Sequence, residues 1–297
     1  MIATVSDSTI AARIAEAFPF SVDKLPLAGP EGLRTPHYGL FRGDNAECIG
    51  VACKRGYEPH TVDDVAALAE AAADAFPGET NVHCLFRDGH YVTVQPSREH
   101  RAAIFGERDN IWPRLVVRAG YDGRAFRATL GYYRDACRNL AMIRAAGNSV
   151  DANIRHTHHL REKLAELQHV FRRLAAGWDG VVETARTLDS REVDMAEFLR
   201  QVYPIPEDAS RRTRGSHDRR VEKIIRRIVR ERLTTGRPDL RTHGRTYLVS
   251  AWEAFNGVQG YAQHDMPRHG RPSEITRAIV ALDDAAVARA LDIALAV

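Results

Sequence analysis

The first half of the chain alternates apolar and polar positions in short runs, as β-strands do. Runs over 37–42 and 47–53 enclose Gly43-Asp44-Asn45, which is typical of a hairpin turn. Two more pairs of runs follow, each around an Asp-Gly turn: 81–86 with 90–95, and 114–119 with 124–134. Because no strand–helix–strand rhythm is visible, the pattern predicts an antiparallel sheet.

Helical periodicity interrupts the strands and then takes over. Thr61 can cap a helix that runs to about residue 76. After about residue 147 the pattern predicts nearly continuous helix, including a basic helix over about 217–234. We expect an α+β fold, in which an N-terminal antiparallel sheet with helices (residues 1–148) is followed by a mostly helical region (residues 149–297). The two regions could share one core.

The composition is that of a water-soluble globular protein, with 44% hydrophobic and 27% charged residues among 297. No apolar run approaches the roughly 18–20 residues that would span a bilayer, and the first residues lack the features of a signal peptide. We therefore expect a cytoplasmic protein without a membrane partner. The four cysteines are dispersed, which indicates buried thiols rather than a zinc or redox motif.

Positive charge is concentrated in one segment. Residues 211–245 contain thirteen Lys or Arg against four Asp or Glu, whereas the net charge of the whole chain is only +3. Such a segment favours a polyanionic partner. In the predicted basic helix, apolar residues from Val221 to Leu233 share one face, and basic residues flank or oppose them. The residues expected to contact phosphates are Arg211, Arg212, Arg214, Arg219, Arg220, Lys223, Arg226, Arg227 and Arg230.

Two other interpretations of this helix remain open: a solvated charged face, and a docking surface for an acidic protein. A second candidate contact with nucleic acid lies on the last strand of the predicted sheet, where Arg127 and Tyr133 share a face. An aromatic ring that stacks on bases, beside an arginine that pairs with phosphate, is typical of single-strand binding.

The thirteen histidines raise a metal hypothesis. His156, His159 and His264 with Asp122 would serve a metal-dependent nuclease or hydrolase, but their spacing matches no helical His-Glu-x-x-His or Cys/His pattern. The alternative is that these histidines bind no metal and are either hydrogen-bonded within the protein or exposed to solvent. Neither a Gly-rich phosphate loop nor a nucleophile elbow is present. We therefore expect no cofactor and favour a protein without enzymatic activity.

Three short motifs in the middle of the chain resemble a known family. They are Gly120-Tyr121-Asp122-Gly123, Arg134-Asp135-Ala136-Cys137-Arg138-Asn139-Leu140 and Arg155-His156-Thr157. Further along, Trp252, Asn256, Tyr261 and His264 are similar to the family's closing helix. On these motifs the chain resembles, over roughly residues 50–265, the phage and plasmid-like proteins gathered as domain-of-unknown-function family 932.

The resemblance implies a gene carried by a phage, plasmid or prophage, in a family whose members accompany DNA-processing genes. It singles out six residues: Asp122, Arg134, Cys137, Asn139, Arg155 and His156. These could form a structural junction between the sheet and the long helix, or a binding site. The order of elements is also similar to the core of phage single-strand annealing proteins, which is a likeness of architecture alone.

Together, the charge pattern and the resemblance favour a mobile-element DNA-binding protein. We expect it to prefer single-stranded DNA and to act as a homo-oligomer in annealing or recombination. One alternative is a metal-dependent nuclease or hydrolase. The other is an interaction protein that inhibits a host defence enzyme, and therefore has a host protein as its partner.

Overall fold

The computed structural model describes residues 9–52, 56–76, 81–86, 89–95, 98–121, 126–137, 139–141, 151–154, 162, 166, 169, 171–173, 175–244, 246–267, 274–282 and 284–297. The chain divides into two compact units, each assembled from three segments. Unit 1 comprises residues 1–100, 114–130 and 148–177, and unit 2 comprises residues 101–113, 131–147 and 178–297. The units therefore alternate along the chain, whereas the sequence led us to expect one boundary near residue 148.

Unit 1 contains a three-stranded antiparallel sheet. Its strands lie in the order β1 (Val22–Ala28), β2 (Arg34–Arg42) and β3 (Cys48–Ala52). Strands β2 and β3 pair antiparallel, so the expected hairpin is confirmed. The sequence did not predict β1, because Pro26 reads as a strand breaker. At the edge of a sheet, however, the missing N–H of a proline costs no ladder hydrogen bond.

Unit 1 also contains most of a second antiparallel sheet. Its strand order is β10 (Asp151–Ile154), β8 (Phe126–Arg134), β7 (Asp109–Gly120), β5 (Gly89–Gln95) and β4 (Asn81–Phe86). Helix α1 (Ile10–Ala17) and helix α2 (Val62–Asp74) pack against each other and against this sheet. Thr61 caps α2 in a capping box with Asp64, so the predicted start of this helix is confirmed. The buried side chains between them include Ile14, Val65 and Val92.

Unit 2 is mostly helical. The helices are α3 (Trp178–Ser190), α4 (Met195–Val202), α5 (Arg211–Thr235), α6 (Ala251–Gly260), α7 (Glu274–Leu282) and α8 (Ala285–Ala296). Strands β11 (Glu192–Asp194), β13 (Thr246–Ser250) and β12 (Arg241–His243) form a small sheet in that order. β6 (Ala102–Phe105) pairs with the start of β7, and β9 (Asn139–Ala141) pairs with the end of β8.

Helix α6 is the centre of unit 2, since every one of its residues is buried and it contacts α3, α5 and α8. The sequence predicts one helix over about 246–264, but residues 246–250 form a strand and Ser250 caps α6 in a capping box with Glu253. A π-helical turn, Tyr261–Asp265, continues α6. The expected α+β class, with sheets in the N-terminal part and helices in the C-terminal part, is confirmed. Among the described helices, none combines the length and apolarity needed to cross a bilayer.

Candidate nucleic-acid interface

Helix α5 is the basic helix, and it is longer than predicted at its N-terminal end. Ser210 caps the start by accepting a hydrogen bond from the Thr213 N–H, and Gly236 ends the helix in the left-handed conformation. Ile224 and Ile228 are buried, and Gly257 of α6 lies against both. The apolar face therefore fixes α5 in unit 2 and leaves the opposite face to solvent.

Four basic side chains on the exposed face form what we call the basic strip: Arg219, Lys223, Arg226 and Arg230. With 3.6 residues per turn they fall within an arc of about 60° and span about 16 Å of helix. In the described part of the chain, Lys223 and Arg230 make no side-chain hydrogen bond or ion pair, and Arg219 bonds only the Ser216 hydroxyl. Arg226 pairs with Glu222 at 2.5 Å. The strip therefore presents a row of charges to solvent with one carboxylate beside it.

The remaining basic residues expected to contact phosphates lie outside the strip. Arg214 donates to the carbonyls of Ala209 and Glu207 in the preceding loop, and Arg211 is exposed in the first turn. Arg212 and Arg220 line a pocket described below.

The predicted phosphate contact of Arg227 is wrong, because this residue is buried. It is only 7% exposed and forms an ion pair with Asp265, with the Nη2 and Oδ2 atoms 2.7 Å apart. Helical periodicity placed it among the outward arginines, but its partner lies 38 residues further along the chain. The prediction that Val229 and Leu233 belong to the apolar face that packs in the protein is also wrong, since they are 41% and 70% exposed.

Arg134, one of the six family-motif residues, is the centre of a buried ion network. Its Nε and Nη2 atoms donate to the two carboxylate oxygens of Asp109 at 2.6 and 2.8 Å, and Nη1 donates to Glu231 at 2.7 Å. Arg134 is 1% exposed and Asp109 is fully buried. A bidentate arginine–carboxylate pair of this kind fixes the geometry of both groups.

The network extends from Asp109 and Glu231 in two directions. Arg237 bridges Asp109 and Asp189, with contacts of 2.9 and 2.7 Å. Arg227 lies 3.7 Å from Glu231 and joins it to Asp265. Arg232 holds Glu253 through two hydrogen bonds of 2.7 and 2.8 Å, and Arg237 lies 3.9 Å from the same carboxylate. The ion network therefore consists of Arg134, Arg227, Arg232, Arg237, Asp109, Asp189, Glu231, Glu253 and Asp265.

Ionisation in the network is set by the competition between burial and neighbouring arginines. Burial would raise the pKa of Asp109, but Arg134 and Arg237 outweigh it and hold this pKa below its ordinary value. Burial also dominates at Glu231, where the nearby guanidiniums do not outweigh it and the pKa is raised. Asp109 is therefore the firmly ionised anchor of Arg134.

Other family-motif residues lie next to the network. Cys137 Sγ is 3.7 Å from Arg134 Nη1, and His264 makes a hydrogen bond with the backbone of Cys137. Tyr132 is buried and donates to Asn256 Oδ1 at 3.1 Å. Trp252, in the closing helix, stacks at a tilt on Tyr132 with ring centroids 5.2 Å apart. Within the described part of the chain, Arg134, Trp252 and Asn256 are thus buried in unit 2, and Cys137 and His264 are half-buried beside them.

Several expected site residues cannot be placed. Asp122, Arg155, His156 and His159 lie outside the described residues. Arg127 belongs to β8 and Asn139 to β9, and their side chains are not among those described. Tyr133 is half-buried, with its ring edge-on to Trp112 at 6.0 Å.

The metal alternative rests on His264 among the described residues. Burial, together with the nearby Arg227, lowers the pKa of His264 to about 4. Within the described ranges, no three His, Cys, Asp or Glu side chains are arranged to hold a metal ion.

Sequence reasoning missed Asp109, Glu231 and Arg237 as partners of Arg134. Isolated charged residues normally lie at the surface, so nothing in their local sequence marks them as buried. The one available signal is that Asp109 and Asn110 directly precede the apolar run Ile111-Trp112, which places them at the start of a buried strand.

A polar cluster is also buried in unit 1. His60 Nε2 and His90 Nδ1 lie 2.9 Å apart, and the Tyr121 hydroxyl donates to the His60 carbonyl at 3.1 Å. Burial lowers the pKa of His90 to about 4. A Cβ on Gly50 would collide with the Tyr121 carbonyl, which fixes the approach of β3 to this cluster.

Comparison with known proteins decides the family. The family described as Domain of unknown function (DUF932) matches residues 53–291. The chain is a member of the DUF932 family. The matched segment covers both the basic strip and the ion network, so both belong to the DUF932 domain. No curated protein and no solved structure matches this DUF932 chain.

Proposed function

We propose that this DUF932 protein binds nucleic acid, single-stranded DNA in preference, through the basic strip of α5. The observation that supports the proposal is the separation of charges in residues 211–245. Arg227, Arg232 and Arg237 are neutralised by buried or half-buried carboxylates, whereas the strip faces solvent with one carboxylate paired to it. Four positive charges of the segment therefore lie along one exposed line of α5.

The strip suits a phosphate backbone in chemistry and in length. Guanidinium groups form two parallel hydrogen bonds to phosphate oxygens, and three of the four strip residues are arginine. One strand carries a phosphate every 3.4 Å or so in a duplex, so about 16 Å of helix can follow roughly four or five phosphates. Such contacts read no base sequence.

The single-strand preference, the role in annealing or recombination, the homo-oligomer and the mobile-element origin are the finer parts of the proposal. The first rests on the pair Arg127 and Tyr133 expected from the sequence. The others rest on the resemblance that the sequence motifs carry. A strand-annealing assay on complementary oligonucleotides tests the role directly, since annealing changes no covalent bond.

The binding experiment compares two double variants by fluorescence anisotropy of labelled single- and double-stranded oligonucleotides. R226Q with R230Q removes two charges from the strip. R34Q with R101Q removes two exposed arginines elsewhere and is the matched control. If the strip binds about four phosphates, log affinity for a single strand should fall against log salt with a slope near −2.8.

We expect the strip variant to lose affinity and to show a shallower salt slope, while the control variant keeps both. Because the buried face of α5 is untouched, both variants should retain the far-UV circular dichroism of the parent. Equal affinity in all three proteins, or no binding of the parent at low salt, would refute the assignment.

A second candidate function is docking of an acidic protein, such as a host partner. The observation that favours it is the pair of exposed apolar residues, Val229 and Leu233, beside Arg226 and Arg230. Protein interfaces combine such apolar contacts with charged rims, whereas backbone contacts to DNA do not need them. V229S with L233S should therefore reduce binding to a protein partner and leave binding to DNA unchanged.

A further inference from the structure

A pocket of about 610 Å³ opens in unit 2 beside the N-terminal half of α5. Its walls are the end of α4 with the following loop (Val202–Ile205), the N-terminal half of α5 (Arg212–Arg220) and the first turns of α8 (Ala285–Arg289). The volume falls within the range of pockets that enclose small molecules.

Positive charge lines this pocket from two helices. Arg212 and Arg220 come from α5, and Arg289 comes from α8. The nearest carboxylate of α8 is Asp284, and it is occupied as the helix cap, where it accepts from the N–H groups of Ala286 and Val287. Three guanidinium groups and no carboxylate are among the described lining residues, so the pocket wall has a net positive charge. Arg289 Nη1 also donates to the Val202 carbonyl at 2.8 Å.

Three polar atoms at the pocket walls are buried and have no hydrogen-bond partner among the described residues. They are the Tyr203 hydroxyl, Arg220 Nε and His217 Nε2. Tyr203 is only 9% exposed, and the Arg220 guanidinium lies 4.5 Å from its ring centroid. His217 Nδ1 faces Asp218 at 3.6 Å, which leaves Nε2 for another partner. Buried polar groups are nearly always paired, so these three atoms are polar groups at the pocket wall that the described residues leave for a ligand or a water molecule.

The remaining walls set the character of that ligand. Val202, Pro204 and Ile205 give an apolar side next to the Tyr203 ring, and Thr213 and Ser216 add hydroxyls beside the arginines. A molecule that satisfies both sides is anionic at one end and flat or apolar at the other. Arginine clusters favour the tetrahedral oxygens of phosphate, and the positive end of α5 adds to the attraction.

We propose that this pocket binds a nucleotide phosphate: a phosphate monoester held by Arg212, Arg220 and Arg289, with the nucleoside against the apolar wall. The same chemistry has two sources, a free mononucleotide and the 5′-phosphorylated end of a strand. The proposal stands on the pocket alone and holds whether or not the basic strip binds DNA.

Calorimetric titration of the full chain with dAMP and with inorganic phosphate tests the pocket. Loss of one charged hydrogen-bonding partner should weaken dAMP binding about ten- to a hundredfold in R220Q and in R289Q. R212Q, at an exposed position, keeps the test valid if either of those variants fails to fold. Y203F removes only an unpartnered hydroxyl, so it should weaken dAMP binding without lowering the melting temperature of the free protein.

The basic strip supplies the matched control. R226Q with R230Q lies on the same helix and should bind dAMP within about twofold of the parent, because neither side chain lines the pocket and salt screens exposed charges. Absence of dAMP binding by the parent, or parental affinity in R212Q, R220Q and R289Q, would overturn the proposal. If R226Q with R230Q loses affinity for DNA but still binds dAMP, the pocket and the basic strip are separate binding sites.

Oligonucleotides with and without a 5′-phosphate distinguish the two sources. If the strand end is the ligand, the 5′-phosphorylated oligonucleotide binds more tightly than the 5′-hydroxyl form, and R289Q removes the difference. If the free nucleotide is the ligand, dAMP binds and the two oligonucleotides bind alike.

Discussion

Arg134 and Asp109 share two hydrogen bonds, of 2.6 and 2.8 Å, in a place where neither side chain is more than 1% exposed. Removing one member of a buried ion pair leaves the other charge without compensation, which costs about 3–5 kcal/mol. We therefore expect R134M to lower the free energy of unfolding by about that amount. Urea denaturation followed by circular dichroism measures it.

R219Q is the control for this prediction, because it also removes a guanidinium charge but does so at an exposed position of the basic strip. Its unfolding free energy should stay within about 0.5 kcal/mol of the parent. An R134M protein as stable as R219Q would show that the network contributes little to the fold.

The buried His90 predicts a stability that depends on pH. Its ring is held neutral in the folded protein, with a pKa of about 4 against an ordinary value of 6.5. As the pH falls, His90 takes up a proton in the unfolded chain before it does so in the folded protein. The contribution of the neutral ring to the free energy of unfolding is therefore complete above pH 6.5 or so and is lost towards pH 4. The loss is on the order of 3 kcal/mol.

Urea denaturation at several pH values between 7 and about 4.5 tests this prediction. Replacing His90 with Asn removes the titrating ring, so the variant should lose less stability than the parent over the same interval. Parallel pH profiles of parent and variant would contradict the assignment to His90.

Glu222 should weaken the basic strip, because its carboxylate lies 2.5 Å from Arg226. E222Q releases Arg226 and removes a charge that repels phosphate. Exposed pairs contribute about 0.2–1 kcal/mol, so we expect affinity for single-stranded DNA to rise by up to about fivefold. E197Q, beside Arg200 on α4, makes the same change away from the strip and should leave the affinity unchanged.

The contact between α5 and α6 depends on the absence of a side chain at Gly257. A Cβ there would lie 2.8 Å from Ile228 Cγ1 and 3.2 Å from Ile224 Cγ2. We expect G257A to lower the free energy of unfolding by about 1–3 kcal/mol through overpacking.

Gly180 in α3 is the matched control for G257A, because it also lies in a helix and no atom would touch its added methyl group. G180A should raise stability by roughly 0.5–1 kcal/mol, since alanine loses less backbone entropy than glycine. Equal effects of the two changes would show that Gly257 does not control the helix contact.

Local signals allowed much of the fold to be predicted from the sequence. The hairpin between β2 and β3 and the start of α2 follow from turn and capping residues, whose preferences act within a few positions. The predicted start of the next helix is wrong: Asp189-Ser190-Arg191-Glu192 resembles a capping box, but Asp189 and Ser190 end α3 and Asp194 caps α4. Residues 192–194 form β11 instead, and its pairing with β13 is a tertiary contact.

The basic strip could also be predicted in part, because helical periodicity is a local signal. Periodicity identifies the strip, since Arg219, Lys223, Arg226 and Arg230 lie opposite Ile224 and Ile228. Periodicity does not distinguish Arg227 from the strip residues. Arg227 is buried because it pairs with Asp265, which lies close to it only in the folded chain. The pocket was missed as well, since Arg289 joins Arg212 and Arg220 through tertiary structure.

The ion network also imposes an order on biosynthesis. Asp109 leaves the ribosome 128 residues before Arg237, and at about 5–20 residues per second it waits roughly 6–25 s for that partner. During this interval Asp109 has Arg134 as its partner in the network but not Arg237. Any nascent chain that stops before residue 237 therefore leaves the start of β7 with an incomplete set of ion pairs, so its final burial has to wait for the last third of the sequence.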